Sequence, residues 1–125
     1  MSKLKVVTLK INKIMTEEQL QAKCYKWAIN EYKCLRFGNL LHVPNGGTRV
    51  KKEAFVFKSI GVVAGIPDLI MIHDCKMYGI ELKTLVGKVS DKQEKVHESW
   101  KSQGIEVFVI RSFEEFKKLI ESIII

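Results

Sequence analysis

The chain has 125 residues, with 21 lysines and arginines against 14 acidic residues and a formal net charge of +7. This length supports one domain with a buried core and leaves little room for a second module. The positive charge favours a polyanionic partner, most often nucleic acid, although many basic proteins bind none. Three cysteines without Cys-x-x-Cys spacing argue against both a disulfide framework and a zinc site.

The amino terminus lacks the apolar core of a signal peptide, and no apolar run approaches the length of a membrane span. We therefore expect reduced thiols, no membrane partner and a cytoplasmic location. Residues 1–14 alternate basic and aliphatic side chains and are interpreted as an arm, either a strand or a loose segment. Residues 15–125 are predicted to form a single domain.

The first predicted element is a helix over residues 17–33. Thr16 and Gln19 have the spacing of a capping box, and apolar residues including Cys24 and Trp27 then recur at helical spacing. The two glutamates at positions 17 and 18 lie in the first turn, where acidic side chains complement the helix dipole. The residues alone favour that interpretation over a catalytic one.

Residues 36–43 are apolar and predict a strand, which ends at a turn over residues 44–47. One interpretation of this turn is purely conformational. The other is that its glycine amides, Asn45 and Arg49 face a phosphate backbone, together with His42. A single histidine beside a strand end is more often structural than catalytic.

Apolar side chains at helical spacing predict a second helix over residues 50–60, and Gly61 is suited to end it. Its other face is basic. Such a charged face is usually solvated, and a second interpretation is that it grips a polyanionic substrate. The residues concerned are Lys51, Lys52 and Lys58.

The segment IPDLIMIHDCKMYGIELK, residues 66–83, predicts two apolar strands joined by a turn centred on residues 74–75. Antiparallel pairing about that turn places Asp68 opposite Glu81. Side chains two residues apart in a strand share a face, so Lys83 projects beside Glu81. The sequence therefore predicts two carboxylates and one ammonium at one edge of a sheet.

Two neighbouring carboxylates repel each other unless one is protonated or a cation lies between them. Hard oxygen ligands suit Mg²⁺ or Mn²⁺, and Lys83 could orient a water or stabilise developing charge. This combination predicts metal-assisted phosphodiester hydrolysis. The competing interpretation is that charged residues at strand ends form ordinary solvated surface.

A further helix is predicted to begin after Ser90. Gln93 stands at its third position, so Ser-x-x-Gln is itself a capping box and Gln93 could simply cap the helix. Residues 105–110 predict a buried strand, and a last helix follows Ser112. The lysines just beyond the Glu-x-Lys strand are candidate phosphate contacts, namely Lys88, Lys92 and Lys95.

Five segments in this order resemble the VRR-NUC (virus-type replication-repair nuclease) domain of the PD-(D/E)XK nucleases, small stand-alone forms of which occur in bacteriophages. The resemblance implies an α/β, restriction-endonuclease-like core in αβββαβ order, a small mixed sheet flanked by helices. The segments are TEEQLQ (16–21), HVPNGGTR (42–49), GVVAGIPDL (61–69), GIELKT (79–84) and GKVSDKQ (87–93).

The resemblance also implies the roles of the site residues. Asp68 and Glu81 are expected to bind Mg²⁺ or Mn²⁺ with the backbone carbonyl of Leu82, and Lys83 to assist. A first-helix glutamate and Gln93 are expected to complete the site. Glu17 is preferred, bound directly or through a water, because the family pattern places a glutamate four residues before a glutamine, here Gln21. Glu18 remains an alternative.

The implied activity is that of a metal-dependent endonuclease acting on DNA. Stand-alone members resemble Holliday junction resolvases, so branched DNA and a two-fold homodimer are expected, in the host cytoplasm for a phage protein. The aliphatic arm and residues 123–125 are candidate dimer surfaces. The alternative function is a non-catalytic nucleic-acid-binding module, which the intact Asp, Glu and Lys argue against because the acids only weaken binding to DNA. A third interpretation is a structural phage protein with fortuitous motifs.

Overall fold

The computed structural model describes residues 15–44 and 56–125, and in it a small mixed sheet is flanked by helices. The described elements follow the expected αβββαβ order, and the helix predicted after Ser112 comes last, which confirms the α/β class. They are α1 (Glu17–Glu31), a 3₁₀ helix (Lys33–Leu35), β1 (Leu40–His42), β2 (Leu69–His73), β3 (Lys76–Leu82), α2 (Asp91–Ser102), β4 (Glu106–Ile110) and α3 (Phe113–Ile124).

The sheet has the order β1-β2-β3-β4, with antiparallel pairs except for the parallel β3–β4 pair. A parallel pair needs a long crossover, which α2 supplies. Between β2 and β3, Asp74 and Cys75 have φ of 51° and 62°, the left-handed values that a two-residue hairpin turn requires. This turn confirms the predicted centre of the hairpin and sets its register.

One face of the sheet packs against α1 and α3. Cys24 and Ala28 of α1 are fully buried there, as are Phe116 and Ile120 of α3. Trp27 makes edge contacts with aromatic rings of this layer, including Phe116 at a centroid distance of 6.2 Å. Burial of these apolar side chains is the main driving force for folding, and no disulfide is needed because the three cysteines are free.

Helix starts follow the local signals. Thr16 and Ser90 each form the reciprocal hydrogen bonds of a capping box, and Ser112 accepts the amide of Glu115. Helix α1 ends at Glu31, two residues earlier than predicted, and a 3₁₀ turn follows. These caps satisfy amide groups that the first turn of a helix leaves without partners.

The predicted strand over residues 36–43 is wrong in its first half. Phe37 and Gly38 have φ of 60° and 87°, so residues 36–39 form a turn and only Leu40–His42 pair as a strand. Of the helix predicted over residues 50–60, residues 56–59 are helical and Gly61 ends them at φ 96°. Residues 50–55 lie outside the described part of the chain.

Candidate active site

The hairpin register brings the two predicted acids together. Leu69 pairs with Ile80, so Asp68 stands opposite Glu81 one step further along the two strands. Asp68 Oδ2 accepts a hydrogen bond from the Leu82 amide at 2.7 Å. Glu81 is only 1% exposed. The pairing predicted from the sequence is therefore present in the fold.

Two side chains of helix α2 contact the carboxyl group of Glu81. Gln93 Nε2 donates to Glu81 Oε2 at 3.3 Å, and His97 Nε2 lies 3.0 Å from Glu81 Oε1. His97 is buried and was not predicted from the sequence. Its spacing from Gln93 was the available signal, because residues four apart share one face of a helix.

Gln93 caps its helix and contacts the site at the same time. Its side-chain Oε1 accepts the Ser90 amide at 2.9 Å, and its own amide donates to Ser90 Oγ at 3.2 Å. The capping box therefore fixes the oxygen end of the amide and leaves the nitrogen end directed at Glu81. The two interpretations of Gln93 are compatible because they use different atoms of one group.

The environment of Glu81 opposes ionisation. Burial raises the pKa of Glu81 to about 9, helped by a hydrogen bond with the Asp68 side chain and by the charges of Asp68 and Glu17, while Lys83 lowers it. Two neighbouring carboxyl groups repel each other when both are ionised, and either a proton or a metal cation between them relieves this repulsion. Mg²⁺ commonly binds one or two carboxylates and takes its other ligands from water and substrate phosphate. The donor set of this pair fits such an ion.

The surroundings of His97 favour the neutral form of its imidazole. Burial lowers the pKa of His97 first, and the neighbouring positive charges of Lys101 and Lys83 lower it further. A neutral imidazole pairs with the Glu81 carboxyl through one hydrogen bond, whose direction follows the tautomer of the ring. The interaction is then a directed hydrogen bond that holds the side chain in place.

Lys83 lies directly beyond β3 and is 7% exposed. Its amide donates to the Ile110 carbonyl at 3.0 Å, which continues the β3–β4 ladder by one residue. Over residues 15–44 and 56–125 no acidic side chain forms an ion pair with its ammonium group. The ammonium group is near enough to affect the pKa of Glu81 and is not neutralised by a described acid.

Glu17 flanks the carboxyl pair from the start of α1. Gly87 is in the loop that follows Lys83. A Cβ atom placed on Gly87 would lie 3.6 Å from Glu17 Oε1, so the Glu17 carboxylate is next to this loop. Within the described residues no three His, Cys, Asp or Glu side chains are close enough together to hold one metal ion. Direct coordination by Glu17 together with Asp68 and Glu81 is therefore not preformed.

An open cleft of about 790 Å³ runs from this site between α1 and β1. Glu17, Glu18 and Asp68 all line it. His42 also lines it, and its Nδ1 donates to the backbone carbonyl of Asp68. His42 therefore supports the backbone next to an acid, in agreement with a structural role.

The predicted nucleic-acid contacts are only partly covered by the described residues. Lys88 is exposed on the segment that precedes α2, and Lys92 is exposed in the first turn of α2. Lys58 and Lys95 are also exposed. Four further predicted contacts lie outside the described residues, namely Asn45, Arg49, Lys51 and Lys52.

The fold and the site together define a class: a small α/β domain in which two carboxyl groups and a lysine meet at the end of a central hairpin. The chain belongs to the VRR-NUC domain family, whose model matches residues 15–114. VRR-NUC is a nuclease-family domain, so the fold is nuclease-like. No curated protein shows significant similarity to the chain.

Two solved structures are similar over most of their length. One, described as a VRR_NUC domain protein, is 24% identical with a TM-score of 0.67 and covers 87% of this chain and 88% of its own. Another, described as a VRR_NUC domain, is 27% identical with a TM-score of 0.53. The match covers 85% of this chain and 96% of the other chain. The shared architecture agrees with the family assignment. In the described portion, no helix is long and apolar enough to cross a membrane.

Proposed function

We propose that this protein is a Mg²⁺- or Mn²⁺-dependent endonuclease of the PD-(D/E)XK superfamily that hydrolyses phosphodiester bonds in DNA. The observation that supports it most is the carboxyl pair formed by buried Glu81 and half-buried Asp68, with Lys83 beside it. Structural carboxyl pairs of this kind are costly, because burial and mutual repulsion both oppose their charge. Metal binding by a nuclease-family domain would account for keeping a carboxyl pair whose charge is energetically unfavourable.

Asp68 and Glu81 would hold the ion with the backbone carbonyl of Leu82. The Leu82 amide points toward Asp68, and in an extended strand the carbonyl of a residue points to the same side as its amide. Glu17 would complete the shell through a water. When bound, the ion supplies the positive charge that lowers the pKa of a water molecule and polarises the phosphate.

Lys83 would orient the attacking water or stabilise the charge that develops on the phosphate oxygens. A nearly buried ammonium that no acid of residues 15–44 or 56–125 pairs with is effective there, because electrostatic interactions strengthen where water is excluded. In-line attack then breaks the P–O bond without a covalent enzyme intermediate. Gln93 and His97 act one layer further out, by holding both oxygens of Glu81 in a fixed orientation.

DNA would lie across the basic surface around the site. The chain carries a net charge of +7, and attraction to phosphate with release of counterions supplies sequence-independent affinity. Lys88 and Lys92 would contact the backbone close to the reacting phosphate. Asn45, Arg49 and the lysines at 51 and 52 are proposed as further contacts.

Branched DNA such as a Holliday junction is the proposed substrate, cut by a homodimer in the cytoplasm of a phage-infected host. This follows the resemblance to stand-alone resolvase-like nucleases, and a two-fold dimer places two sites on opposed strands. At the carboxyl terminus, Ile123 and Ile124 pack against the core while Ile125 is 92% exposed. Ile125 is thus the part of this aliphatic end that is free for a dimer contact.

The test is cleavage of four-way junction, flap, nicked and linear duplex DNA with Mg²⁺, with Mn²⁺ and with chelator. Asp68→Asn and Glu81→Gln should abolish cleavage, while DNA binding persists or tightens because repulsion of phosphate is relieved. Glu106→Gln is the matched control. Glu106 is an exposed glutamate on the neighbouring strand β4, three residues away from Val109, which pairs with Glu81. Metal-dependent cleavage retained in either site variant would contradict the assignment.

The alternative, a non-catalytic nucleic-acid-binding module, predicts tight binding without cleavage under every condition. Lys83→Ala separates roles within the site. Its turnover should fall by orders of magnitude while its Mn²⁺ affinity, measured by isothermal titration, stays close to that of the wild type. An equal loss of Mn²⁺ affinity would mean that Lys83 only supports the fold.

A further inference from the structure

The cleft that contains Asp68 has an aromatic side chain further along its α1 wall. Glu17 and Asp68 line the cleft, and the charges of both act on Glu81. Tyr25 lines the same cleft eight residues after Glu17, which is about 12 Å along the helix axis. Gln21 lies between them, and residues four apart share one face of a helix. One face of α1 therefore leads from the carboxyl pair to the tyrosine.

The wall formed by β1 leaves room for a flat group. His42 contacts the Asp68 carbonyl, and Leu40 and Gly38 line the cleft further back along the chain. No atom of the described residues lies within 4 Å of the position where a side chain on Gly38 would begin. The cleft volume of about 790 Å³ is within the range of pockets that hold small organic groups. Away from the acids, the cleft thus combines an aromatic ring, aliphatic side chains and open space.

The charges of the lining determine which part of a nucleic acid can enter this cleft. Three acidic side chains line it, namely Glu17, Glu18 and Asp68, and no lysine or arginine of residues 15–44 or 56–125 does so. A phosphodiester backbone would be repelled there, except at the carboxyl pair, where a bound cation would compensate the charge. A nucleobase is uncharged and planar, and it stacks on aromatic side chains. The lining therefore favours a base over the backbone.

We infer that Tyr25 stacks on an unpaired base of the DNA strand whose phosphate lies at Asp68 and Glu81. The inference rests on the proposed function and names the class of substrate for that site, which is DNA with an unpaired nucleotide near the scissile phosphate. Within a continuous duplex a base is paired and stacked, so it enters the cleft only if it is extruded at the cost of those interactions. Branched and flap DNA supply unpaired nucleotides where their strands part.

Photochemical cross-linking tests this contact, because irradiated 5-iododeoxyuridine forms a bond with an aromatic side chain on which it stacks. The probe is a flap duplex with this base at one unpaired position, moved nucleotide by nucleotide away from the branch. The reference is the same labelled strand in a fully paired duplex. Ca²⁺ replaces Mg²⁺, since both ions take oxygen ligands. Wild-type protein should cross-link through Tyr25, identified by mass spectrometry, at a narrow range of unpaired positions and far less in the paired duplex.

Two substitutions of Tyr25 separate its ring from its bulk. Tyr25→Phe should retain the cross-link and the affinity for flap DNA, because stacking uses the ring. Tyr25→Leu should remove the cross-link and weaken flap binding at least about fivefold, the lower end for one base–aromatic stack, with binding of the paired duplex unchanged. Phe37→Leu is the matched control and should change neither quantity. Phe37 is 100% exposed, directly before Gly38 and outside the lining of the cleft.

A wild-type cross-link that maps to Phe37, or to no aromatic side chain, would overturn the inference. So would equal affinity of wild type and Tyr25→Leu for the flap duplex. The mapping uses the wild-type protein, so it holds whatever the stability of the variants. The outcomes are also separable from the proposed function. Cleavage by wild type in Mg²⁺ without a cross-link at Tyr25 defeats only the inference, whereas a cross-link at Tyr25 without cleavage defeats only the nuclease proposal.

Discussion

Glu81 is the residue in which the demands of folding and of function conflict most. It is 1% exposed, and both of its oxygens are within hydrogen-bond distance of α2 side chains. A neutral, well-packed side chain would stabilise the fold more, because the carboxylate loses its hydration and lies beside Asp68. The Asp68–Glu81 pair is explained if a metal cation replaces the proton between the two carboxyl groups in the proposed enzyme.

The pH dependence of metal binding tests this directly. The folded-state pKa of Glu81 is raised from 4.5 to about 9, so the metal-free fold loses stability as pH rises through that window. Mg²⁺ competes with the proton, so the increase in melting temperature on adding Mg²⁺ should grow from pH 6 to pH 9. Glu81→Gln should abolish this growth. An Mg²⁺ effect independent of pH would contradict the shared-proton description.

The capping role of Gln93 and its contact with Glu81 can be tested separately by comparison with the capping box of α1. Gln93→Ala removes both the cap and the contact with Glu81, so it should cost about 1 kcal/mol of stability and most of the cleavage activity. Gln19→Ala removes the equivalent cap on α1, where Gln19 Oε1 accepts the Thr16 amide at 2.9 Å. It should lower stability similarly and leave cleavage intact. Normal cleavage by Gln93→Ala would restrict Gln93 to capping.

His97 is expected to act through Glu81 rather than on the substrate. His97→Ala removes the hydrogen-bond partner of Glu81 Oε1, and losing a partner that orients a ligand commonly lowers metal affinity about 10–100-fold. Isothermal titration with Mn²⁺ measures the loss. His73→Ala, at the far end of β2, serves as the control. Reduced cleavage with unchanged Mn²⁺ affinity would instead point to contact with the substrate.

At the scale of elements, the site depends on how closely α2 approaches the loop before β2. Gly65 has φ of 92°, and a side chain there would begin 2.7 Å from the Lys92 carbonyl oxygen and 3.1 Å from the Gln93 amide nitrogen. The absence of a side chain lets the loop lie against the first turn of α2. That turn carries Gln93, so the packing of this loop also sets the distance to Glu81.

Two glycines allow this close approach to be tested. Gly65→Ala must displace the start of α2 as well as strain the backbone, so it should lose more than 1 kcal/mol of stability and reduce cleavage. Gly61 has φ of 96°, and no atom of the described residues lies within 4 Å of the position where its side chain would begin. Gly61→Ala should show the backbone strain alone, with cleavage per folded molecule unchanged. Equal effects of the two substitutions in thermal melts and cleavage assays would argue against the packing role.

At the scale of the whole molecule, the basic charge and the small size shape how the protein would meet DNA. The described residues contain one carboxyl pair of this kind, so the proposed paired cutting of opposed strands would use one site from each of two copies. A basic surface that contacts several phosphates releases several counterions, which makes affinity fall steeply with salt.

We expect a homodimer at micromolar concentration, measured by sedimentation equilibrium, that makes paired symmetric nicks in a four-way junction. Affinity should drop by roughly 10³-fold or more between 50 and 200 mM salt if about six phosphates are contacted. Linear duplex of the same length is the control for structure preference. A monomer that nicks junction and linear duplex equally would reduce the proposal to a nonspecific nuclease.

Sequence alone determined the features that depend on local spacing. The hairpin turn at residues 74–75 places Asp68 opposite Glu81 because strand pairing has a period of two, and the capping boxes follow from side chains three residues apart. The family was likewise identifiable from ordered motifs. The strand boundary at residues 36–39 was not, because the left-handed conformation of Phe37 is rare for its residue type.

Only the tertiary structure decided which side chains from distant elements converge on Glu81. His97 lies 16 residues away in the chain, and its contact depends on how α2 packs on β3. The same packing shows that Gln93 serves the cap and the site together, and that Arg111 fixes the turn beside Lys83. These relations depend on helix position and burial in three dimensions, which no periodicity along a single chain encodes.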